Sequence, residues 1–357
     1  MHVINTLFLL GIISYSTRIV AAEYSTIPNA LTNNAVTQVN INGNDYFLSF
    51  SGLSKNKTYQ DVHNKAYIYN VKKRQWHSIA PVPLSKENLI LTKGLVGRLA
   101  SVATTIKDKV FIFGGYTVAK DHSEVSIADV YTYDILTNTY QLLAPMPVSV
   151  DDSVALPYQN KLIYLISGWH NSGNVNLVQV YNTETNHWQQ ATPFPGKPVF
   201  GHAGGIVDNK ILVCDGVAIK VYKNTKRSYQ REAACYLGVI NKNKPFEIDW
   251  RVIVHPVQRA RYRMAAIGLT KQQQIVFLGG SENPYNYNGM GYNGKPAQPS
   301  NKVWIFDLAT QQWQIKITKH ASMDHRGLLY LEGKLITLGG MGEDQQVLNS
   351  VNLTPFN

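Results

Sequence analysis

Along this chain, short apolar runs end on glycine and polar turns separate them. In order they are Val110-Phe111-Ile112-Phe113-Gly114-Gly115, Ile163-Tyr164-Leu165-Ile166-Ser167-Gly168, Ile211-Leu212-Val213-Cys214-Asp215-Gly216, Ile275-Val276-Phe277-Leu278-Gly279-Gly280 and Leu335-Ile336-Thr337-Leu338-Gly339-Gly340. A weaker copy, Tyr46-Phe47-Leu48-Ser49-Phe50-Ser51-Gly52, opens the series. Runs of this length, apolar at nearly every position, predict strands covered on both faces. Six copies at a spacing of roughly 50–65 residues predict a radial repeat.

The remainder of each repeat predicts three more strands. Turn residues precede the glycine strand: Asn42-Gly43-Asn44, Lys107-Asp108, Gln159-Asn160, Asp208-Asn209 and Glu332-Gly333. Gly and Asn accept positive φ at low cost, so these read as hairpins. A third strand closes on an aromatic and a polar residue: Tyr69-Asn70, Tyr133-Asp134, Tyr181-Asn182 and Phe306-Asp307. After a turn comes another aromatic, at Trp76, Tyr140, Trp188 and Trp313, with Trp250 in that role in the fourth repeat. Each repeat is thus a four-stranded antiparallel blade, and the fold class is an all-β, six-bladed propeller. The last repeat ends soon after the strand at 347–353, short of an outer strand. Ala35–Ile41 is expected to supply it and close the ring.

The Gly-Gly, Tyr-Asp and Trp spacing resembles the Kelch repeat over nearly all of the chain after residue 30. Gly52, Gly168 and Gly216 depart from that pattern by lacking the first glycine, and Tyr140 stands where Trp is usual. Among exported Kelch propellers of bacteria, the layout is most similar to the sialic acid mutarotases, or N-acetylneuraminate epimerases. The shared points are an apolar N-terminus, one six-bladed ring, and a long loop after the fifth-blade glycine pair. That resemblance implies an isomerase that interconverts anomers of an acidic sugar by acid/base ring opening. A Glu and a downstream Arg of the fourth blade are proposed for that family's chemistry. Val217 stands where the Glu would lie, with Asp215 nearby, and Lys226 or Arg227 stands close to the Arg. The alternative class is a non-catalytic propeller that binds glycan or protein at the cell envelope.

The N-terminus is read as a targeting segment. Leu7–Tyr15 is apolar but too short to span a bilayer, and Val20-Ala21-Ala22 offers small residues for cleavage. Residues 1–22 are therefore expected to be a signal peptide, and 23–357 a single propeller in the periplasm or secreted. Hydrophobic content of 44% and charged content of 16% suit one globular domain. In an oxidising compartment Cys214 and Cys235 can form a disulfide, since adjacent strands of the fourth blade bring them close; two buried thiols are the alternative. No Cys/His spacing suggests a metal, and no cofactor is expected. A copper oxidase of the galactose oxidase type would need a Tyr-His pair that the chain lacks.

The formal charge of +11 points to anionic partners, an acidic sugar or anionic glycan. No basic run or helix offers a surface for nucleic acid. Oligomeric state is not legible. Polar groups just before the glycine hairpins are expected to converge on the propeller axis: Gly97-Arg98-Leu99-Ala100-Ser101, Asp151-Asp152-Ser153, Gly201-His202-Ala203-Gly204, Arg259, Arg261 and Arg263, and Asp324-His325-Arg326. Arg98, Arg261, Arg263 and Arg326 are candidates to grip a carboxylate, a task suited to the planar guanidinium fork. His202, His325 and Asp152 are candidates for proton transfer. The Asn/Tyr/Gly-rich loop 282–294 adds Glu282 as a further acid/base group and Tyr287 as a stacking face for a sugar ring.

Overall fold

A computed structural model describes residues 24–221 and 227–356; the leader expected at 1–22 lies outside them. Six antiparallel sheets follow one another along the chain as the blades of a propeller. The first blade, Ala35–Ile41, Asn44–Leu53, Val62–Asn70 and Gln75–Ile79, sets the pattern. Its strands run in sequence order from the inner to the outer position. Blades two to five repeat it, from Val102–Ile106 to Trp313–Ser322. Among the described residues the sixth blade has three strands, Leu329–Leu331, Lys334–Leu338 and Val351–Pro355.

Ala35–Ile41 does not complete the sixth blade. The Asn42-Gly43 turn folds it back onto Asn44–Leu53, which makes it the inner strand of blade one. The seam is covered instead by residues 24–31. Ile27 N–H donates to Asn349 O at 2.8 Å and Leu31 N–H to Leu348 O at 3.0 Å, and Tyr24, Ile27 and Leu31 pack among Phe47, Tyr69 and Leu338.

The aromatics pair across the two outer strands as the sequence pattern requires. Ring centroids lie 5.0 Å apart for Tyr69–Trp76, 4.9 Å for Tyr133–Tyr140, 5.1 Å for Tyr181–Trp188 and 4.8 Å for Phe306–Trp313. Each fills the wedge that opens away from the axis, and its polar tip reaches the chain before its own blade. Tyr140 Oη donates to Ala80 O, Trp188 Nε1 to Ala144 O and Trp313 Nε1 to Val254 O. Trp76 Nε1 donates to Ser25 O in the same manner. Residues 24–31 thus occupy, toward blade one, the place that the segment after an outer strand takes elsewhere. Trp250 differs: it lies opposite Gly238 and packs against Phe194.

Antiparallel connectivity sorts the loops. The hairpin turns before each glycine strand lie on one face. The chain entering each inner strand, and the loops after each glycine, share the other face. On that second face the loops are elaborated into the small hairpins Tyr116–Val118/Glu124–Ser126, Trp169–His170/Gly173–Asn174 and Val217–Val221/Arg227–Arg231, and into the fifth-blade loop. Cys214 and Cys235 are bonded (Sγ–Sγ 2.07 Å) across paired strands, at the base of the fourth-blade hairpin.

Candidate functional site

Six residues meet where the chain turns into the inner strands: Asn33, Ala100, Asp152, Gly201, Arg263 and Asp324. All have φ between 50° and 68°. The left-handed turn aims each backbone at its neighbour, and a ring of hydrogen bonds closes around the axis. Asp152 N–H donates to Ala100 O (3.1 Å), Gly201 to Asp152 (2.9 Å), Arg263 to Gly201 (2.7 Å) and Asn33 to Asp324 (3.2 Å). His325 N–H donates to Arg263 O (3.2 Å), and Ala100 N–H to Asn33 Oδ1 (2.7 Å).

The side chains of this ring fill the axis. Arg263 pairs with Asp152 at 2.6 Å and with Asp324 at 3.0 Å. Arg326 reaches Asp152 at 2.6 Å and Asn33 Oδ1 at 2.8 Å. Thr32 Oγ1 donates to Asp324 at 2.7 Å. All four charged side chains are 3% exposed or less. Burial alone would raise the Asp152 carboxyl, but Arg263 and Arg326 outweigh it and hold it below the usual range. Two arginines and two aspartates thus neutralise one another and divide the axis into two compartments.

On one side lies a cavity of about 260 Å³ between the six inner strands. Its walls include Val36, Val102, Leu156 and Ile206, and its polar end carries Asp152, Ser153, His202, His325 and Arg326. His202 Nε2 donates to Ile166 O at 2.8 Å, which leaves Nδ1 as an acceptor with no partner among the described residues. Burial lowers His202 to about 4 and His325 to about 3, so both are neutral near pH 7.

On the loop face lies a smaller pocket of about 70 Å³. Asp152 and Arg263 form its floor, and Tyr116, Trp169, Phe200, Tyr229, Tyr287 and Tyr292 form its walls. Two carboxyls enter it without an arginine of their own. Asp151 is buried and accepts from Ser126 Oγ at 2.6 Å; burial first, then the charge on Asp152, raises it well above the usual range. Glu124 stands at the mouth, solvent-accessible but ringed by protein. Loss of hydration raises it most, Arg263 opposes and Asp152 adds, and the balance is about 7. Tyr229 stacks on Tyr292 at 4.0 Å and 17°.

The structure brings together some of the predicted site residues and separates others. Asp152, Arg263 and Arg326 meet on the axis. His202 and His325 lie with them, but in the inner-strand cavity. Tyr287 lines the loop-face pocket, its Oη 3.2 Å from His122 Nδ1. Glu282 is on the outer rim, 3.8 Å from Arg259 and 4.0 Å from Arg231. Arg98 and Arg261 lie away from the axis. Arg98 donates to Gly114 O and Pro83 O; Arg261 donates to Gly279 O and Lys302 O and stacks 3.6 Å over Trp304. Both sit two residues before a ring position, where the chain still faces the gap between blades, so they bind the carbonyl of the first glycine. Asp215 is likewise spent on His255 Nε2 (2.6 Å) and the Arg261 N–H (2.7 Å), and Val217 is buried among apolar side chains.

The sequence pattern does not single out Glu124, Tyr116, Trp169 or Tyr229, whereas Tyr292 lies in the loop 282–294 expected to contact a sugar. They fall in the segments after the glycines, which vary from repeat to repeat. Their signal was the insertion of polar and aromatic residues in those segments.

The KLHDC2/KLHL20/DRC7 Kelch-repeats domain model matches residues 33–236. This chain belongs to the Kelch-repeat family. The Kelch propeller is 22% identical over 318 residues to the N-(sulfonatooxy)prop-2-enimidothioate sulfolyase of Thlaspi arvense, covering 78% of this chain and 83% of that protein. It is 21% identical to Kelch domain-containing protein 3 of Bos taurus, over 60% of this chain and 56% of the other. It therefore spans little more than half of that relative. Among solved structures, one titled "Structure of YjhT" superposes with a TM-score of 0.69 at 14% identity, over 94% of this chain and all of the other. At that identity the likeness is one of fold.

Proposed function

We propose that the loop-face pocket binds an acidic sugar and interconverts its anomers by proton transfer. The observation that carries the reading is the pair of carboxyls, Glu124 and Asp151, which share one aromatic-lined pocket and both hold protons more tightly than ordinary carboxyls. Anomer exchange needs a base for the anomeric hydroxyl and an acid for the ring oxygen. Glu124, balanced near neutrality, takes the hydroxyl proton while the ring C–O bond breaks. Asp151, protonated, gives its proton to the ring oxygen. Rotation of the freed carbonyl and the reverse transfers close the ring on the other face and restore both groups. Tyr and Trp faces suit the ring itself.

This reading moves the chemistry from His202, His325 and Asp152 to Glu124 and Asp151. Asp152 is locked to two arginines, and the histidines are neutral and separated from the loop face by the axial ion pairs. It also frees Arg263 from gripping a substrate carboxylate, because both of its faces are taken. The overall positive charge favours an anionic substrate. Export to the periplasm or beyond remains part of the proposal, in keeping with a disulfide of the kind that persists in oxidising compartments.

The test is proton NMR of freshly dissolved α-N-acetylneuraminate at a pH where spontaneous exchange is slow. Catalytic amounts of protein should speed equilibration, and Glu124→Gln and Asp151→Asn should each abolish most of the gain. Shifted sugar signals without faster exchange would favour the second reading, a glycan-binding propeller, for which the stacked Tyr229 and Tyr292 are the supporting feature.

A further inference from the structure

Beside the loop-face pocket runs a much larger groove of about 890 Å³. The fourth-blade hairpin and the fifth-blade loop form its two banks. Tyr229 and Tyr292 belong to both spaces, so their stacked pair is the boundary between them. We infer that this groove is a second subsite, holding the continuation of an anionic oligosaccharide whose end sugar enters the axial pocket. The inference rests on the sugar-binding reading of that pocket and extends it from a single sugar to a chain.

Size is the first argument. Pockets that enclose a drug-sized ligand measure about 300–1,000 Å³. The axial pocket at about 70 Å³ falls below that range, whereas the groove lies within it. A ligand filling both would be held mainly by the groove.

Charge is the second. Arg227, Arg231 and Lys295 line the groove against one acid, Glu282. The Glu282 contacts are loose: 4.0 Å to Arg231, and 3.8 Å to Arg259 outside the groove lining, between side chains 38–72% exposed. Pairs of that kind contribute little and exchange readily for a better anion. The remaining lining is neutral and hydrogen-bonding. Asn283 Nδ2 is already oriented by Asn293 Oδ1 and Lys295 O, at 3.2 and 3.0 Å. Amides and hydroxyls between separated cations suit a ligand that alternates hydroxyls with carboxylates.

Calorimetry with the exported full chain tests this with four probes: galacturonate, linear tetragalacturonate, neutral maltotetraose and a short single-stranded oligonucleotide. Tetragalacturonate should bind about tenfold or more tighter than galacturonate. Its affinity should fall between about 50 and 300 mM salt. The double variant Arg231→Ala/Lys295→Ala, confined to exposed side chains, should weaken the tetrasaccharide about tenfold and the monosaccharide less. Equal affinity for the two uronic probes, equal affinity for maltotetraose, preference for the oligonucleotide, or no binding of tetragalacturonate would each overturn the inference. Tight tetragalacturonate binding without accelerated anomer exchange would uphold the groove and defeat the catalytic reading. Accelerated exchange with no effect of chain length would do the opposite.

Discussion

Asp151 and Asp152 are adjacent in sequence and sit in opposite electrostatic settings. Asp152 is ion-paired with two guanidinium groups, while Asp151 has one serine hydroxyl and a neighbouring negative charge. Neutralising them should therefore have unequal effects. Asp152→Asn leaves Arg263 and Arg326 short of an anion on the axis and should cost about 3–5 kcal/mol of stability. Asp151→Asn replaces a carboxyl whose charged form is disfavoured by burial and by Asp152 with a neutral isostere, and should cost less than about 1 kcal/mol. Urea unfolding of the two variants makes the comparison. His202 and His325 give the fold an acid-sensitive term. Both stay neutral when folded until about pH 4 and 3, whereas unfolded histidine protonates near 6.5. Below about pH 6.5 the unfolded chain thus binds more protons, and stability falls as pH drops, by up to about 1.4 kcal/mol per pH unit for each histidine. Their contribution is complete above that pH. Urea midpoints from pH 7 to pH 5 should show the decline, and His202→Gln should flatten it.

At the level of elements, the two residues after each glycine strand do the same work in all six blades. The first has φ of 56° at Ser51, 56° at Gly114, 55° at Ser167, 68° at Asp215, 73° at Gly279 and 63° at Gly339. At two of the three positions without glycine, Ser167 and Asp215, the side chain takes on bonding toward the next blade. The single Ser167 hydroxyl proton is shared between Val175 O and Val199 O while its oxygen accepts from Val199 N–H, and Asp215 binds His255 and the Arg261 N–H. Where glycine is present there is no room: a Cβ at Gly114 would collide with the Val150 carbonyl oxygen. Gly114→Ala should therefore lower stability by more than the roughly 1–2 kcal/mol of left-handed strain alone, seen as a fall in Tm. Trp76→Phe keeps the ring but removes the bond to Ser25 O at the seam. It should cost about 1 kcal/mol and speed proteolysis of the segment before blade one.

For the whole molecule, the disulfide constrains the blade that carries the groove hairpin. Cys214 and Cys235 are 21 residues apart, and opening that loop by Cys214→Ser/Cys235→Ser should cost about 3 kcal/mol in the loop-entropy account. Calorimetric unfolding of the double variant and the parent would measure it. The repeat, its strands and the aromatic wedge were legible in sequence because each is local. Each apolar run is followed within two residues by a glycine at positive φ, and an aromatic follows one turn after Tyr-Asn, Tyr-Asp or Phe-Asp. The axial set was legible in part: Asp152, Arg263 and Asp324 lie at equivalent positions, Arg326 follows two residues later, and equivalence in a radial repeat means convergence. Arg98 and Arg261 sit two residues earlier, and that offset turns them from the axis into the gap between blades, a difference of backbone direction that no composition reveals. The partners of a charge were beyond the sequence altogether. Asp152 pairs across 111 positions with Arg263, and Asp151 is raised by its burial, Glu124 by the protein crowded around the pocket mouth, and both by the charge on Asp152. Sequence determined the fold through periodic, short-range preferences. Tertiary structure alone decided which carboxyls are neutralised and which keep a proton, because proton affinity depends on solvent access and on charges that only the closed ring assembles.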